Sequence, residues 1–131
     1  MLDRTWAEEF AHEWIAAWNS HDLERVLAHY TDDFQMTSPL IAQWLGIPDG
    51  KLQGKDAIRN YWAQGLAKMP QLEFKLIDVV VGVSSLGIVF ETVGLPRRVL
   101  EFMQLDDQKR CVRSEALHGA LSRADGLKTP S

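Results

Sequence analysis

Glu101 interrupts an apolar stretch that is typical of a β-strand. Alternation along residues 97–106 places it on one face with Val99, Met103 and Leu105. A carboxyl group among apolar neighbours has a raised pKa and can act as a general acid or base. The alternative is a structural role, in which Glu101 pairs with a buried Trp, Tyr or Arg, or reaches water. Its setting makes Glu101 the first catalytic candidate.

His118 is the second catalytic candidate, on the last predicted strand. It alternates onto one face with Val112, Ser114 and Ala116. An imidazole titrates near neutral pH and can move a proton. A core histidine with a satisfied hydrogen bond is the structural alternative, and the alternation alone does not separate the two.

The sequence carries no recognisable cofactor or metal motif. It has no GxGxxG, P-loop, GxSxG or HExxH pattern, and Cys111 is its single cysteine. The remaining histidines, His12, His21 and His29, show no ligand spacing. We therefore expect no cofactor and no metal. A lone cysteine cannot form an internal disulfide, so nothing indicates an oxidising compartment.

Length and charge limit the classes of protein that remain. A chain of 131 residues fits one domain, which we place at residues 1–123 with a disordered tail at 124–131. The net charge of −4 disfavours nucleic-acid binding, which needs a basic face. Residues 1–10 are too charged for a signal peptide, and no apolar run is long enough to span a bilayer. We expect a cytoplasmic protein with no membrane partner.

The first half of the chain is predicted to be helical with one interruption. Four aromatic residues recur at every fourth position and define one apolar helix face: Trp6, Phe10, Trp14 and Trp18. Asp22 can cap a second, short helix whose buried stripe ends at Tyr30. Asp32 and Asp33 indicate a turn before a strand at 34–37. Residues 39–54 are expected to be a packed loop, and 55–68 a third helix.

The second half is predicted to be an antiparallel meander. Four β-type runs follow one another with short turns: residues 72–83, 86–94, 97–106 and 110–119. Asp78 interrupts the first run, and a bulge that turns it outward is the favoured explanation. Helices first and strands second is the α+β order. Both faces of 97–106 are apolar, which favours a homodimer through the outer face of the sheet; coverage by the loop or tail is the alternative.

Three motifs in this order resemble the nuclear transport factor 2-like superfamily. They are the Asn-x-x-Asp break at 19–22, Tyr-Thr-Asp-Asp-Phe at 30–34 and Gly-Lys-Asp-Ala-Ile at 54–58. The resemblance covers residues 5–119 and points to the SnoaL-like branch, which is related to the ketosteroid isomerases. It implies a cone-shaped, cystatin-like α+β fold. In that fold, three N-terminal helices pack on a strongly curved, mostly antiparallel sheet that encloses a pocket, and many members are homodimers.

The resemblance also implies a set of pocket residues. Glu101 and His118 would face a pocket formed by Trp14, Trp18, Tyr30, Ser38, Trp44, Tyr61, Trp62, Val99, Met103, Ser114 and Ala116. The positions that match the Tyr, the base and the second acid of the isomerases are Trp14, Ser38 and Glu101. An indole donates only one hydrogen bond, and a serine needs an activating neighbour to act as a base. Steroid isomerisation is therefore not expected.

Two functional hypotheses from different classes follow. The first is a cofactor-free isomerase, cyclase or lyase that acts on a small apolar carbonyl compound by acid–base chemistry. The second is a non-catalytic dimeric module that binds an apolar ligand or serves as a scaffold. A fold by itself does not choose between them, because one fold hosts many functions. The state of Glu101 in the folded protein is the observation that separates them.

Overall fold

In the computed structural model, residues 1–121 are described and form one six-stranded sheet packed against helices. The expected tail at 124–131 lies outside these residues. The elements in chain order are α1 (Arg4–Ser20), α2 (Leu23–Leu27), β1 (Tyr30–Thr37), α3 (Pro39–Leu45), β2 (Lys51–Gln53), α4 (Lys55–Lys68), β3 (Phe74–Val81), β4 (Ser85–Thr92), β5 (Leu95–Leu105) and β6 (Cys111–Leu121). Within residues 1–121, no helix combines the length and apolar character needed to cross a membrane.

Helix α1 begins and ends at specific side-chain contacts. The Asp3 carboxylate caps it by accepting a hydrogen bond from the Trp6 backbone N–H at 2.8 Å. Asn19, in the last turn, accepts from the Phe74 backbone N–H at 2.7 Å and donates to the Phe74 carbonyl at 3.0 Å. These two bonds join the end of α1 to the start of β3. They hold the aromatic face of the helix against the sheet.

The sheet has the order β2-β1-β6-β5-β4-β3. Strands β3 to β6 form the expected antiparallel meander. Strand β1 lies parallel to β6 and antiparallel to β2. The fold is therefore the expected α+β arrangement, with helices packed on a curved, unclosed sheet. Pairing register shifts within several of these strand pairs, and such irregularities bend strands and increase their twist.

Asp78 lies at one of these irregularities, as expected. The β3–β4 register shifts between Leu76 and Asp78, and the Asp78 side chain is exposed. Its carboxylate accepts a hydrogen bond from the Val79 backbone N–H at 2.8 Å. The interruption in this apolar run is therefore structural, and Asp78 is not an inward-facing acid.

Two local expectations differ from the structure. Tyr30, expected to end the second helix, begins β1, because the Cys111 N–H bonds the His29 carbonyl at 2.8 Å and draws the chain into the sheet. Asp32 and Asp33, read as a turn, lie inside β1 where its register against β6 shifts. Long-range pairing outweighs the local turn preference there.

Residues 39–54 are more ordered than a loop. They contain α3 and β2, so the structure has one more short helix than expected. The Ser38 hydroxyl caps α3 by accepting from the Leu40 N–H at 3.2 Å, and Pro39 occupies the first turn, where its missing N–H does no harm. Gly50, at φ +64°, brings its backbone against Ser38; a Cβ there would lie 2.8 Å from the Ser38 carbonyl oxygen.

Candidate functional site

A cavity of about 290 Å³ lies between α1, α3, α4 and the inner face of the sheet. Its walls are mostly apolar, and few polar side chains face it. The expected pocket residues that line it are Trp14, Trp18, Ser38, Trp44, Tyr61, Trp62, Val99, Glu101, Ala116 and His118. Lining residues without a sequence-based expectation are Met36, Leu40, Gly65, Leu66, Met69, Leu72, Phe74, Phe90, Thr92, Leu95 and Arg97.

Three residues expected in the lining lie behind the wall instead. Tyr30, Met103 and Ser114 are fully buried and do not reach the cavity. Tyr30 lies against Phe34, with ring centroids 4.3 Å apart, and Met103 and Ser114 pair directly across β5 and β6. Strand alternation had identified the correct face for Met103 and Ser114. It carries no information on how far along the strand the cavity extends.

Aromatic rings form the wall opposite the polar residues. Trp18 packs edge-on against Trp62, with ring centroids 4.9 Å apart, and against Trp14, with ring centroids 6.2 Å apart. The ring centroid of Trp44, on α3, lies 5.7 Å from that of Tyr61, on α4. The fourfold spacing on α1 therefore places its tryptophans in the cavity wall as well as in the core. Rings in this arrangement suit a flat, apolar ligand.

Glu101 is the buried acid of the cavity. It pairs with Ala116 of β6 and Ile88 of β4, and its side chain is 4% exposed. Burial raises its pKa to about 8, and the Ser114 hydroxyl beside it favours the ionised form and offsets part of that rise. Within residues 1–121, however, the Ser114 Oγ has no partner at the distance and angle of a hydrogen bond. Within the same residues Glu101 forms no ion pair.

Burial and the charge of this acid affect two tyrosines. Burial raises the pKa of Tyr30 well above its usual value, and the negative charge of Glu101 raises it further. Burial also raises the pKa of Tyr61, with a smaller contribution from Glu101. Both tyrosines therefore stay protonated. Tyr61 lines the cavity and can donate to a ligand oxygen, whereas Tyr30 lies behind the cavity wall.

The Trp14 Nε1–H is not free to donate to a ligand. Its Nε1–H donates to the Tyr30 hydroxyl at 2.9 Å, and both groups are buried. The bond links α1 to β1 behind the cavity wall. Trp14 therefore presents only its ring to the cavity, although its position matches that of a hydrogen-bond donor in the isomerases.

Ser38 also has a structural task. It is 3% exposed, its hydroxyl caps α3, and it lies beside the Tyr61 hydroxyl, where a hydrogen bond partly offsets the rise in the pKa of Tyr61. No basic group that would activate Ser38 is among these contacts. The position that matches the isomerase base thus holds a helix cap.

His118 and Arg97 complete the polar side of the cavity. His118 of β6 pairs with Val99 of β5, and Ala116, the preceding residue on the same face of β6, pairs with Glu101. Burial lowers the pKa of His118, and the positive charge of Arg97 lowers it further. The imidazole is therefore neutral at pH 7. Arg97 was missed by sequence reasoning, although strand alternation places it on the face of Val99 and Glu101.

Within residues 1–121 no cluster of three or more His, Cys, Asp or Glu side chains is arranged to hold a metal ion. Cys111, the single cysteine, is a fully buried free thiol. Burial raises its pKa strongly, so the reactive thiolate form is disfavoured. The ionisable side chains that line the cavity are Glu101, His118, Arg97 and Tyr61.

Helices packed on a curved sheet, with a mostly apolar cavity and a buried acid between them, are typical of one class of pocket proteins. A family model described as SnoaL-like domain matches residues 11–107. The chain belongs to this family, within the nuclear transport factor 2-like superfamily. No protein of curated function matches it.

Solved structures agree with this assignment. A SnoaL-like protein of unknown function from Burkholderia thailandensis is 37% identical, with a TM-score of 0.86, covering 92% of this chain and 100% of that one. IdmH, a putative polyketide cyclase from Streptomyces antibioticus, is 19% identical with a TM-score of 0.68, covering 86% and 91%. SalBIII, an epoxide hydrolase/cyclase-like enzyme of salinomycin pyran ring formation, is 12% identical with a TM-score of 0.68, covering 91% and 95%. The last two support the fold alone.

Proposed function

We propose that this protein is a cofactor-free isomerase, cyclase or lyase that acts on a small apolar carbonyl compound. One observation carries the proposal: Glu101 lines an apolar cavity, and burial raises its pKa to about 8. Perturbed carboxyl groups in clefts are concentrated at catalytic sites. A pKa close to the working pH also suits an acid or base, because both protonation states are populated.

The protonation state of Glu101 determines what it can do. With a pKa of about 8, roughly ten carboxyl groups are protonated for each ionised one at pH 7. The protonated form can donate to a carbonyl or leaving oxygen. The ionised form can remove a proton from the carbon next to a carbonyl. Tyr61, which also lines the cavity, stays protonated and can donate to a ligand oxygen, and the apolar walls exclude water, which strengthens these interactions.

The relatives support the same reaction class. IdmH is named as a putative polyketide cyclase, and SalBIII as an epoxide hydrolase/cyclase-like enzyme. Both share the fold at low identity, so their chemistry enters as support for a cyclase-type reaction and no further. Steroid isomerisation is not part of the proposal, because Trp14 and Ser38 are committed to contacts inside the protein.

Proton exchange at an α-carbon tests the proposal without knowledge of the natural substrate. We suggest 2-acetylnaphthalene in D₂O, with deuterium uptake at its methyl group followed by NMR. The protein should accelerate exchange, and Glu101→Gln should slow it at least ~100-fold, the usual contribution of a general base. The rate should rise with pH and level off above about 8, where Glu101 is ionised. Glu9→Gln, at an exposed position on α1, is the control.

A non-catalytic ligand-binding or scaffold module is the second candidate. It is favoured by the internal bonds of Trp14 and Ser38, which leave Glu101 with few polar groups to assist it. Under this hypothesis the ketone binds, but wild type and Glu101→Gln give the same exchange rate. That result would overturn the enzyme hypothesis. Absence of binding by any apolar ligand would leave only the scaffold.

We also propose that two copies associate through the outer face of the sheet, which we define as Val80, Leu100, Phe102 and Leu117. Leu117 is 49% exposed and Val80 44% exposed. Leu100 pairs directly with Leu117 across β5 and β6, so the apolar surface is continuous. In the segment 39–54, Leu40 and Trp44 line the cavity on the inner side of the sheet.

We further propose a cytoplasmic location. The buried free thiol of Cys111 accords with this compartment, where thiols stay reduced.

A further inference from the structure

Arg97 is a cation in the wall of a mostly apolar cavity. It shares a face of β5 with Val99 and Glu101, and its side chain lines the cavity. Its Nε atom is buried and has no hydrogen-bond partner within residues 1–121. Nor does Arg97 form an ion pair within these residues. Its neighbour Arg98, in contrast, is exposed and pairs with Glu91 at 3.4 Å.

A buried guanidinium N–H without an acceptor is unfavourable. It has lost its hydrogen bonds to water and has gained none from the protein. Such a donor is completed when a ligand supplies the missing acceptor. A guanidinium is planar and always charged, so a carboxylate or another anionic oxygen is the acceptor that it binds best.

The position of Arg97 relative to Glu101 fits a ligand with two functional ends. The two Cα atoms lie at most about 13 Å apart, since a strand rises about 3.3 Å per residue. His118 lies across from Val99, between them along the sheet. The side chains of Arg97 and His118 both line the cavity, and the charge of Arg97 adds to the effect of burial in lowering the pKa of His118. Burial also increases along this line, from the partly exposed Arg97 to Glu101 at 4%.

We propose that Arg97 binds an anionic oxygen of the ligand, a carboxylate or an ionised enol, and that the ligand is therefore an acidic apolar compound. The apolar body lies among the tryptophans, the anionic oxygen meets Arg97, and the reacting carbon faces Glu101. The neutral imidazole of His118 can donate one N–H to the same oxygen. This inference rests on the proposed function insofar as both require a ligand in the cavity.

A matched pair of probes tests the inference by isothermal titration calorimetry at pH 7. The probes are 2-naphthoate, which is anionic, and 2-acetylnaphthalene, which has the same rings and no charge. The variant Arg97→Met keeps the apolar stem and removes the charge. It should weaken naphthoate binding at least ~10-fold, as expected for a charge-assisted hydrogen bond, and change ketone binding less than ~3-fold.

Arg98→Met is the matched control, because Arg98 lies next in sequence and its side chain is exposed and paired with Glu91. It should leave both affinities unchanged. Arg97→Lys keeps the charge without the planar fork and should bind naphthoate with intermediate affinity; it also serves if Arg97→Met does not fold. Equal losses for both probes in Arg97→Met, a similar loss in Arg98→Met, or no naphthoate binding to wild type would each overturn the inference.

The two proposals fail in different ways. If the Arg97 inference is wrong and the proposed function is right, ketone exchange still depends on Glu101 while naphthoate shows no Arg97-dependent preference. If the proposed function is wrong and the inference is right, naphthoate binding depends on Arg97 but Glu101→Gln does not alter exchange. Calorimetry with naphthoate therefore tests Arg97, and deuterium exchange of the ketone tests Glu101.

Discussion

Glu101→Gln should make the protein more stable at alkaline pH. The native carboxyl has a pKa of about 8, against an ordinary value of 4.5 for an unfolded glutamate. Between these pH values the unfolded chain releases the proton while the native protein retains it. The free energy of unfolding of wild type therefore falls as pH rises through this window. Glutamine does not titrate, so the variant lacks this part of the pH dependence.

The size of the effect follows from the pKa difference. Each pH unit inside the window lowers wild-type stability by about 1.4 kcal/mol, so pH 5 to 8 amounts to about 4 kcal/mol. That is a large fraction of the ~5–15 kcal/mol by which domains are stable. Below pH 4.5 both states are protonated, and this penalty on Glu101 is absent. Above about 8 the penalty reaches its full value and stays constant.

Urea unfolding of both proteins at pH 5, 6, 7 and 8 measures this difference. Other titrating groups are common to both, so they cancel when the variant is compared with wild type at each pH. Glu101→Gln should gain steadily on wild type as pH rises. Glu9→Gln, on the exposed side of α1, should run parallel to wild type. A constant difference between wild type and Glu101→Gln from pH 5 to 8 would refute the reasoning, because Glu101 would then titrate alike in both states.

Two further predictions concern the core and the outer face of the sheet. Trp14→Phe removes the 2.9 Å donor to Tyr30 and should lower the free energy of unfolding by about 2–4 kcal/mol, from lost packing and an unpaired buried hydroxyl. Combined with Tyr30→Phe in a double-mutant cycle, it should show a coupling near 1 kcal/mol; additive losses would mean that the bond contributes nothing. Leu117→Lys should convert a dimer to a monomer by light scattering, because it places a charge within the apolar outer face, directly across from Leu100. Val83→Lys, at an exposed apolar residue in the β3–β4 turn, should leave the dimer intact, and a monomeric wild type would contradict the prediction.

Local patterns were sufficient for most of the fold. The fourfold spacing of aromatic residues predicted α1, and period-two alternation predicted the strands of the meander within a few residues of their observed ends. The register of β5 correctly placed Val99, Glu101 and Met103 on the inner face. The same pattern places Arg97 on this face, although a charged residue at a strand end is usually solvated.

The sequence alone predicted the family, through the resemblance of three motifs. It also predicted the longer helices, the strands of the meander and the inward face that carries Glu101, because short-range periodicity, capping and turn preferences are expressed by each segment by itself. The tertiary structure decided that Tyr30 enters β1, that Trp14 is bonded to Tyr30, and that the buried Nε of Arg97 has no hydrogen-bond partner within residues 1–121. It also decided how strongly Glu101 is desolvated. The reason is physical: desolvation, hydrogen-bond partners and cavity depth arise between segments distant in the chain, such as β1 and β6, and no local pattern encodes them.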